Sequence, residues 1–244
     1  MSTPQWSSTF LTYTPTSDEA ESGFPVTRIA SLHPHPASRY WSGTTGAAQN
    51  VYLNLGASTA VQGVALFGVN FTNFQLAHSS TLGGTYTPLA GSNFTAQKFL
   101  DWYNFITVQN FTNTFIRIHI PVQTFTVGSA PRIGYVAVMT TVNSWPRDLP
   151  FPLSYVLQQA IVQSGVDTGV RGPNTFTVDW GAMFSHSETT QIEEMMLLPA
   201  DETFLFYENA GNAGAVVLLR RGASVPFTRE GGRQIWSPTL IGQI

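Results

Sequence analysis

The sequence predicts a mainly β protein, in which a jelly-roll β-sandwich is followed by a smaller β-rich domain carrying one helix. Three observations predict this. Short runs of β-branched and aromatic residues recur along the 244 residues with Gly, Asn and Pro between them, as in sandwiches and barrels. Several runs alternate apolar and polar positions, which is the period of a half-buried strand. A single segment, His186 to Leu198, carries clear helical spacing.

The elements are taken in chain order. Residues 1–23 are polar, rich in Ser and Thr, with an acidic cluster at Asp18, Glu19 and Glu21, and read as an N-terminal arm. From Phe24 the β pattern begins. Val51 to Leu55 is a strand closed by Gly56, Val61 to Asn70 a second and Phe74 to His78 a third; Leu82-Gly83-Gly84-Thr85-Tyr86 reads as a hairpin turn. Phe105 to Val108 precedes Phe115 to Ile120, where Ile116, Ile118 and Ile120 share a core face and Phe115, Arg117 and His119 share the other. Ile133 to Met139 is a continuous apolar strand. Three prolines between Trp145 and Pro152 mark a boundary, because proline removes a backbone donor and fixes φ.

The charge balance changes across that boundary. Residues 1–140 hold 4 acidic and 5 basic side chains; residues 141–244 hold 10 and 6. Two domains, 24–140 and 141–244, fit this shift. The second offers strands at Tyr155–Val166, Thr175–Trp180, Thr203–Tyr207, Ala215–Arg220 and Gln234–Ile241. Its helix, 186–198, opens on the capping box Ser185-His186-Ser187-Glu188, presents Ile192, Met195 and Met196 on one face, and stops before Pro199.

Composition bounds function. Hydrophobic residues make up 43% and aromatics 13%, ample for a packed core. Charged residues make up 10%, against about 25% in a typical soluble domain. Lys98 is the single lysine. So sparse a charge fits a surface covered by permanent partners, or else the Thr/Asn/Gln-rich surface of a polar monomer. The net charge is −3 and Arg220-Arg221 is the only adjacent basic pair, which argues against an electrostatic nucleic-acid binder and against attraction to an anionic membrane. With 0 cysteines there is no disulfide framework and no thiolate metal site. The segment Met1 to Trp6 lacks the basic and apolar regions of a signal peptide, and no apolar run approaches about 18 residues, so the expectation is a product of the cytosol that stays there or leaves within an assembly. The Asn-Phe-Thr triplets at Asn70, Asn93 and Asn110 then read as turn and strand-edge sequence.

The sequence holds no phosphate-binding glycine loop, no His-Glu-x-x-His and no Gly-x-Ser-x-Gly. Paired carboxylates are the remaining route to glycoside cleavage, but three of the four acidic residues of the first part lie in the arm, and Glu193 and Glu194 lie on the exposed side of the helix. The expectation is a protein that is not an enzyme and needs no cofactor or metal. His33-Pro34-His35-Pro36 places two imidazoles on one side of an extended segment, but no third ligand is near and the flanking prolines fit a rigid loop. Arg39-Tyr40-Trp41-Ser42 combines rings, a cation and hydroxyls, which a sugar site uses; a core tryptophan beside a paired arginine has the same sequence. His33, His35, Arg39, Tyr40 and Trp41 are therefore the candidate carbohydrate- or partner-binding residues, and Ile192, Met195 and Met196 the candidate assembly surface.

Arg28-Ile29-Ala30-Ser31-Leu32, Arg39-Tyr40-Trp41-Ser42-Gly43, Val51-Tyr52-Leu53-Asn54-Leu55-Gly56, Val61 to Leu66 and Asn70 together resemble the discoidin, or galactose-binding-like, pattern. Ser79–Leu89, Phe115–Ile120 and Ile133–Val138 continue the likeness, which spans about residues 24–140. Asn54 stands where that family has aspartate, and Leu82-Gly83-Gly84 lacks the aspartate of its hairpin, which puts any calcium site in doubt. The resemblance implies a jelly-roll that displays ligand loops, with a sugar as the suggested ligand. A discoidin-like module, a proline-rich joint and a strand–strand–helix–strand domain further resemble tail-tip and baseplate proteins of long-tailed phages. That implies a virion tail protein, made in a host cytoplasm, joined to identical subunits and to other tail proteins, and displaying the module towards a host-surface glycan. The alternative is a free carbohydrate-binding module acting with an enzyme on another chain.

Overall fold

A computed structural model describes residues 5–31, 39–89, 97–99 and 102–144, and six later strands, 175–177, 203–207, 216–221, 227–230, 233–236 and 239–243. The strands up to the proline-rich boundary are β1 (Gln5–Ser7), β2 (Thr14–Ser17), β3 (Trp41–Ser42), β4 (Gln49–Val69), β5 (Gln75–Ser79), β6 (Thr87–Pro88), β7 (Gln97–Phe99), β8 (Trp102–Ile120), β9 (Arg132–Ile133), β10 (Tyr135–Met139) and β11 (Asn143–Ser144). Beyond it come β12 (Thr175–Thr177), β13 (Thr203–Tyr207), β14 (Val216–Arg221), β15 (Phe227–Glu230), β16 (Arg233–Trp236) and β17 (Thr239–Gln243). Among the described residues the one helix is a short 3₁₀ turn, Val26–Ala30, and none is long and apolar enough to cross a membrane. The fold is mainly β. Two compact units divide the chain: Thr9–Val142 with Ala213–Val216, and Met1–Ser8 with Asn143–Asn212 and Val217–Ile244.

The Thr9–Val142 unit is organised by two long strands. β4 and β8 pair antiparallel from Gln49↔Ile120 to Val69↔Tyr103, with register shifts at Asn54/Thr59, Val61/Gly63 and Leu66/Val69. An extra residue in a ladder bends the strand and increases its twist. Gly56, at φ +80°, lies within the first shift, a conformation that costs a side-chain-bearing residue about 1–2 kcal/mol. The sequence placed a strand end at Gly56 and separate strands on each side; the backbone instead bends there and continues. The same correction joins Phe105–Val108 to Phe115–Ile120.

The bent ribbon supplies both layers. Its first half carries β2 on one side and β8 on the other, with β5 and then β6 beyond β8. Its second half carries β10, and β7 adds to β8. Val51, Leu53, Ile116, Ile118 and Ile120 from the first half share one core with Val61, Val64, Leu66, Val69, Phe105, Val136 and Val138 from the second. Each such side chain contributes about 1.5–3 kcal/mol when fully buried. The isoleucine face expected of Ile116, Ile118 and Ile120 is therefore core. Tyr13 Oη lies 2.7 Å from the carbonyl oxygens of both Ile29 and Val136 and donates to either, and burial holds this phenol well above its ordinary pKa.

In the other unit β11-β1-β13-β14-β17-β12 form one sheet, and β15 pairs with β16 as a separate hairpin. Gln5 faces both Ser144 and Tyr207, so the chain's first strand lies between β11 and β13. The expected 1–23 arm is thus corrected: it contributes β1, paired on both sides, to this unit and β2, paired with β4, to the sandwich. The expected strand Gln234–Ile241 divides into β16 and β17. The helix 186–198, the strand Tyr155–Val166 and the prolines 146–152 lie outside the described residues.

Gly63 gives a direct test of this packing. A Cβ there would stand 2.7 Å from Met139 Cε and 2.9 Å from the Thr107 carbonyl oxygen. Gly63→Ala is expected to destabilise the sandwich by about 1–3 kcal/mol, read as a lower midpoint in chemical denaturation; an unchanged midpoint refutes the close approach.

Candidate functional site

The sequence singled out the segment from His33 to Trp41. His33 and His35 lie outside the described residues, and Arg39 is exposed. Trp41 is fully buried; it pairs with Ile133 across β3 and β9, and its Nε1–H donates to the Glu19 carbonyl at 3.1 Å. Its ring is core and offers no platform to a ligand. Trp41 is thus removed from the candidate site, because the pairing of β3 with β9 encloses it in the core with Ile29 and Ile133.

Tyr40 remains, and the fold surrounds it with residues distant in sequence. Phe24 stacks on it with centroids 4.9 Å apart and planes 13° apart, and Trp102 at the start of β8 tilts against it at 5.8 Å and 39°. Two arginines cap the pair. Arg132 Cζ stands 4.6 Å from the Tyr40 centroid and Arg28 Cζ 5.2 Å from the Phe24 centroid, both within cation–π range. Arg28 Nη1 also donates to the Tyr40 carbonyl at 3.4 Å. Arg132 Nε is buried with no hydrogen-bond partner among the described residues. The four rings and guanidinium groups around Tyr40 are each half-buried.

The loop before β9 aims Arg132. Asn70 is fully buried: its Nδ2 donates to the carbonyls of Val127 at 2.6 Å and Ala130 at 2.9 Å, and its Oδ1 accepts from the Arg132 backbone N–H at 2.8 Å. Gly128, at φ +75°, leaves room that a Cβ would take from the guanidinium, 2.8 Å from Arg132 Nη2. Sequence reasoning named Asn70 for its place in a pattern but had no signal that it fastens a loop 60 residues away. Phe24, Trp102 and Arg132 were missed for the same reason: nothing local joins them to Tyr40.

The acidic cluster serves attachment. Asp18 Oδ2 accepts from the Asn50 backbone N–H at 2.9 Å and from Asn50 Nδ2 at 2.7 Å. Glu19 Oε2 accepts from Thr44 and from Gln49 Nε2. Both carboxylates act as acceptors for the segment leading into β4. Among the described residues no group of three or more His, Asp or Glu side chains is placed to hold a metal ion. Away from Tyr40, His78 stacks on Phe111 at 4.7 Å and 12°, and Asn113 Nδ2 faces its Nδ1. A nitrogen that accepts belongs to a neutral ring, and partial burial lowers this imidazole's pKa.

No protein-family model and no curated protein matches the chain. Solved structures with similar folds include chitosan-binding module 1 of a chitosanase/glucanase from Paenibacillus sp. IK-5, at 21% identity and TM-score 0.42, covering 52% of this chain and 95% of that one. The family 32 CBM of C. perfringens NanJ, in complex with galactose, gives 16% identity and TM-score 0.42 over 57% of this chain and 99% of that one. A Ruminococcus gnavus GH29 fucosidase in complex with fucose gives 15% identity and TM-score 0.42 over 53% of this chain but 25% of that one. At such values any functional reading rests on the residues around Tyr40 and not on these likenesses.

Two outcomes test the site's framework. Trp41→Ala is expected to cost about 3–5 kcal/mol as a core truncation, whereas Arg39→Ala leaves the denaturation midpoint unchanged; a stable Trp41→Ala protein refutes the core assignment. For His78 the folded state holds fewer protons than the unfolded chain once pH falls below about 6.5. Its contribution is therefore complete above that value and is lost as pH falls from there through the lowered folded value. The thermal midpoint should drop from pH 7 to pH 5, less steeply in His78→Gln, and equal slopes refute this.

Proposed function

We propose that the Thr9–Val142 sandwich is a non-catalytic glycan-recognition module and that its contact surface is the arginine–aromatic cluster around Tyr40. The observation that carries this is the half-buried Arg132 guanidinium, held over the Tyr40 ring beside the half-buried Trp102. Sugars present C–H patches and many hydroxyls. A ring's electron-rich face and edge accommodate the first, and a guanidinium fork supplies donors in fixed directions for the second. The carboxylates that a glycosidase would need are, in Asp18 and Glu19, engaged in fastening backbone and amide groups.

Affinity electrophoresis of the full chain tests this, with gels containing glycol chitosan, galactomannan or polygalacturonate. At least one polymer is expected to retard the protein, and Tyr40→Ala with Trp102→Ala is expected to weaken retention by about tenfold, the scale of a lost aromatic contact. Migration unaffected by every polymer sinks the proposal.

The sparse charge, 10% of residues, favours a second, wider reading. We infer that identical copies assemble through the unit built on Asn143–Asn212 and Val217–Ile244, placing the module on a larger particle such as a virion tail. Ile192, Met195 and Met196, the expected contact surface, lie outside the described residues. Light scattering at micromolar concentration decides the point: an oligomer supports assembly, and a monomer leaves the free module.

A further inference from the structure

A second aromatic and cationic group lies on the outer face of the sheet formed by the first half of β4 and the second half of β8. Antiparallel partners share a face. Asn50 pairs with His119, and Tyr52 with Arg117, so these four side chains project together, away from the Val51, Leu53, Ile116, Ile118 and Ile120 core. β5 continues the row, with Gln75 opposite His119. Tyr86, from the β5–β6 connection, comes over this face: its ring lies 6.1 Å from that of Tyr52 at 49°, and Arg117 Cζ stands 4.5 Å above it.

Each member is held in place. Tyr86 Oη donates to the Leu82 carbonyl at 3.0 Å. Asn50 gives its Nδ2 hydrogen to Asp18 Oδ2 at 2.7 Å and turns its Oδ1 to His119 Nδ1 at 2.9 Å. An amide oxygen only accepts, so His119 Nδ1 carries the hydrogen and its Nε2 points elsewhere. Arg117 Nε has no hydrogen-bond partner among the described residues, and its guanidinium rests on a ring. Burial raises the pKa of both phenols, Asp18 adding to the effect on Tyr52 and Tyr52 to that on Tyr86 while Arg117 opposes it in both, so both hydroxyls stay protonated across ordinary pH.

We propose that this face is a second carbohydrate subsite that takes a segment of a glycan chain lying across β4 and β8. It goes beyond the Tyr40 cluster and rests on that reading only for the class of ligand. Two half-exposed tyrosines set at an angle fit the C–H faces of successive or branched sugar units better than a flat apolar partner, which aligned rings would suit. Arg117, His119, Asn50 and Gln75 line the floor with donors and acceptors for hydroxyls. A protein partner would need a broad apolar centre, and this face sets amides, an imidazole and a guanidinium between its rings. Strand pairing on both sides of β4 and β8 fixes the spacing, so the groups are preorganised and little ordering opposes binding.

The experiment uses the full chain and the same three polymers, glycol chitosan, galactomannan and polygalacturonate, with retention measured for the parent, Tyr52→Ala, Tyr86→Ala, Arg117→Lys and Tyr40→Ala. Thermal midpoints monitor folding, and Arg117→Lys, which keeps charge but loses the planar fork, guards against a simple fold defect. We expect Tyr52→Ala and Tyr86→Ala each to lower affinity about tenfold, Arg117→Lys to lower it measurably at an unchanged midpoint, and Tyr86→Ala with Tyr40→Ala to lose more than either alone through loss of avidity. If the three face variants bind like the parent while Tyr40→Ala does not, the face is overturned and the Tyr40 site stands. If the face variants lose binding while Tyr40→Ala keeps it, the face stands and the Tyr40 site is overturned. A parent that no polymer retards overturns both.

Discussion

The structure of the sandwich depends on one pairing, the antiparallel ladder between β4 and β8. These strands run 21 and 19 residues, longer than a flat sheet over a single core can use, since about 5–6 residues is the common strand length. The ladder survives by breaking register in three places. Each break turns the ribbon, and together they bring its two halves onto one core. The other strands of its sheet are additions to this ribbon: β2 and β10 flank β4, β5 and β7 flank β8, and β6 extends β5, while β3 and β9 pair as a separate two-stranded sheet.

That arrangement decides where chemistry is placed. Inside, the ribbon's apolar positions meet, and one polar residue that enters, Asn70, is fully engaged. Asn70 gives both its amide donors and its acceptor to the loop before β9. A buried polar residue left without such partners would cost about 1–3 kcal/mol, so the loop and the asparagine specify each other. Outside, the same strands give two surfaces of similar composition and different origin. Around Tyr40, loop residues and strand ends meet. On the β4–β8 face, regular register alone does the gathering.

Both surfaces use arginine over tyrosine, and the pairing matters in a chain with so few charges. A guanidinium on a ring face is partly desolvated without a neutralising carboxylate. It holds the ring in a fixed orientation, as Arg132 does over Tyr40 and Arg117 over Tyr86. Two carboxylates of the sandwich are used differently. Asp18 and Glu19 bind backbone and amide groups that anchor the chain entering β4.

How much of this was legible in the sequence depends on the range of the forces involved. Local alternation is a short-range signal, and it determined the strands, the mainly β class and the inward face of Ile116, Ile118 and Ile120. It also contained the outward row of Arg117 and His119, though not the partners that make the row a surface. Gly56 was misread as a strand end because glycine permits both a stop and a bend, and only a partner strand continuing past it distinguishes the two. Trp41 was ambiguous for the same reason: a tryptophan beside arginine and serine has one sequence whether it faces a sugar or a core, and the pairing of β3 with β9 turned it inward. The Tyr40 cluster depended wholly on tertiary structure. Trp102 and Arg132 lie far along the chain from Phe24, Arg28 and Tyr40, and they meet because the bulged ladder returns β8 and β9 to the side of Tyr40. Residue type and spacing determined what each strand could bury; the closure of the ribbon on itself decided which exposed side chains became neighbours.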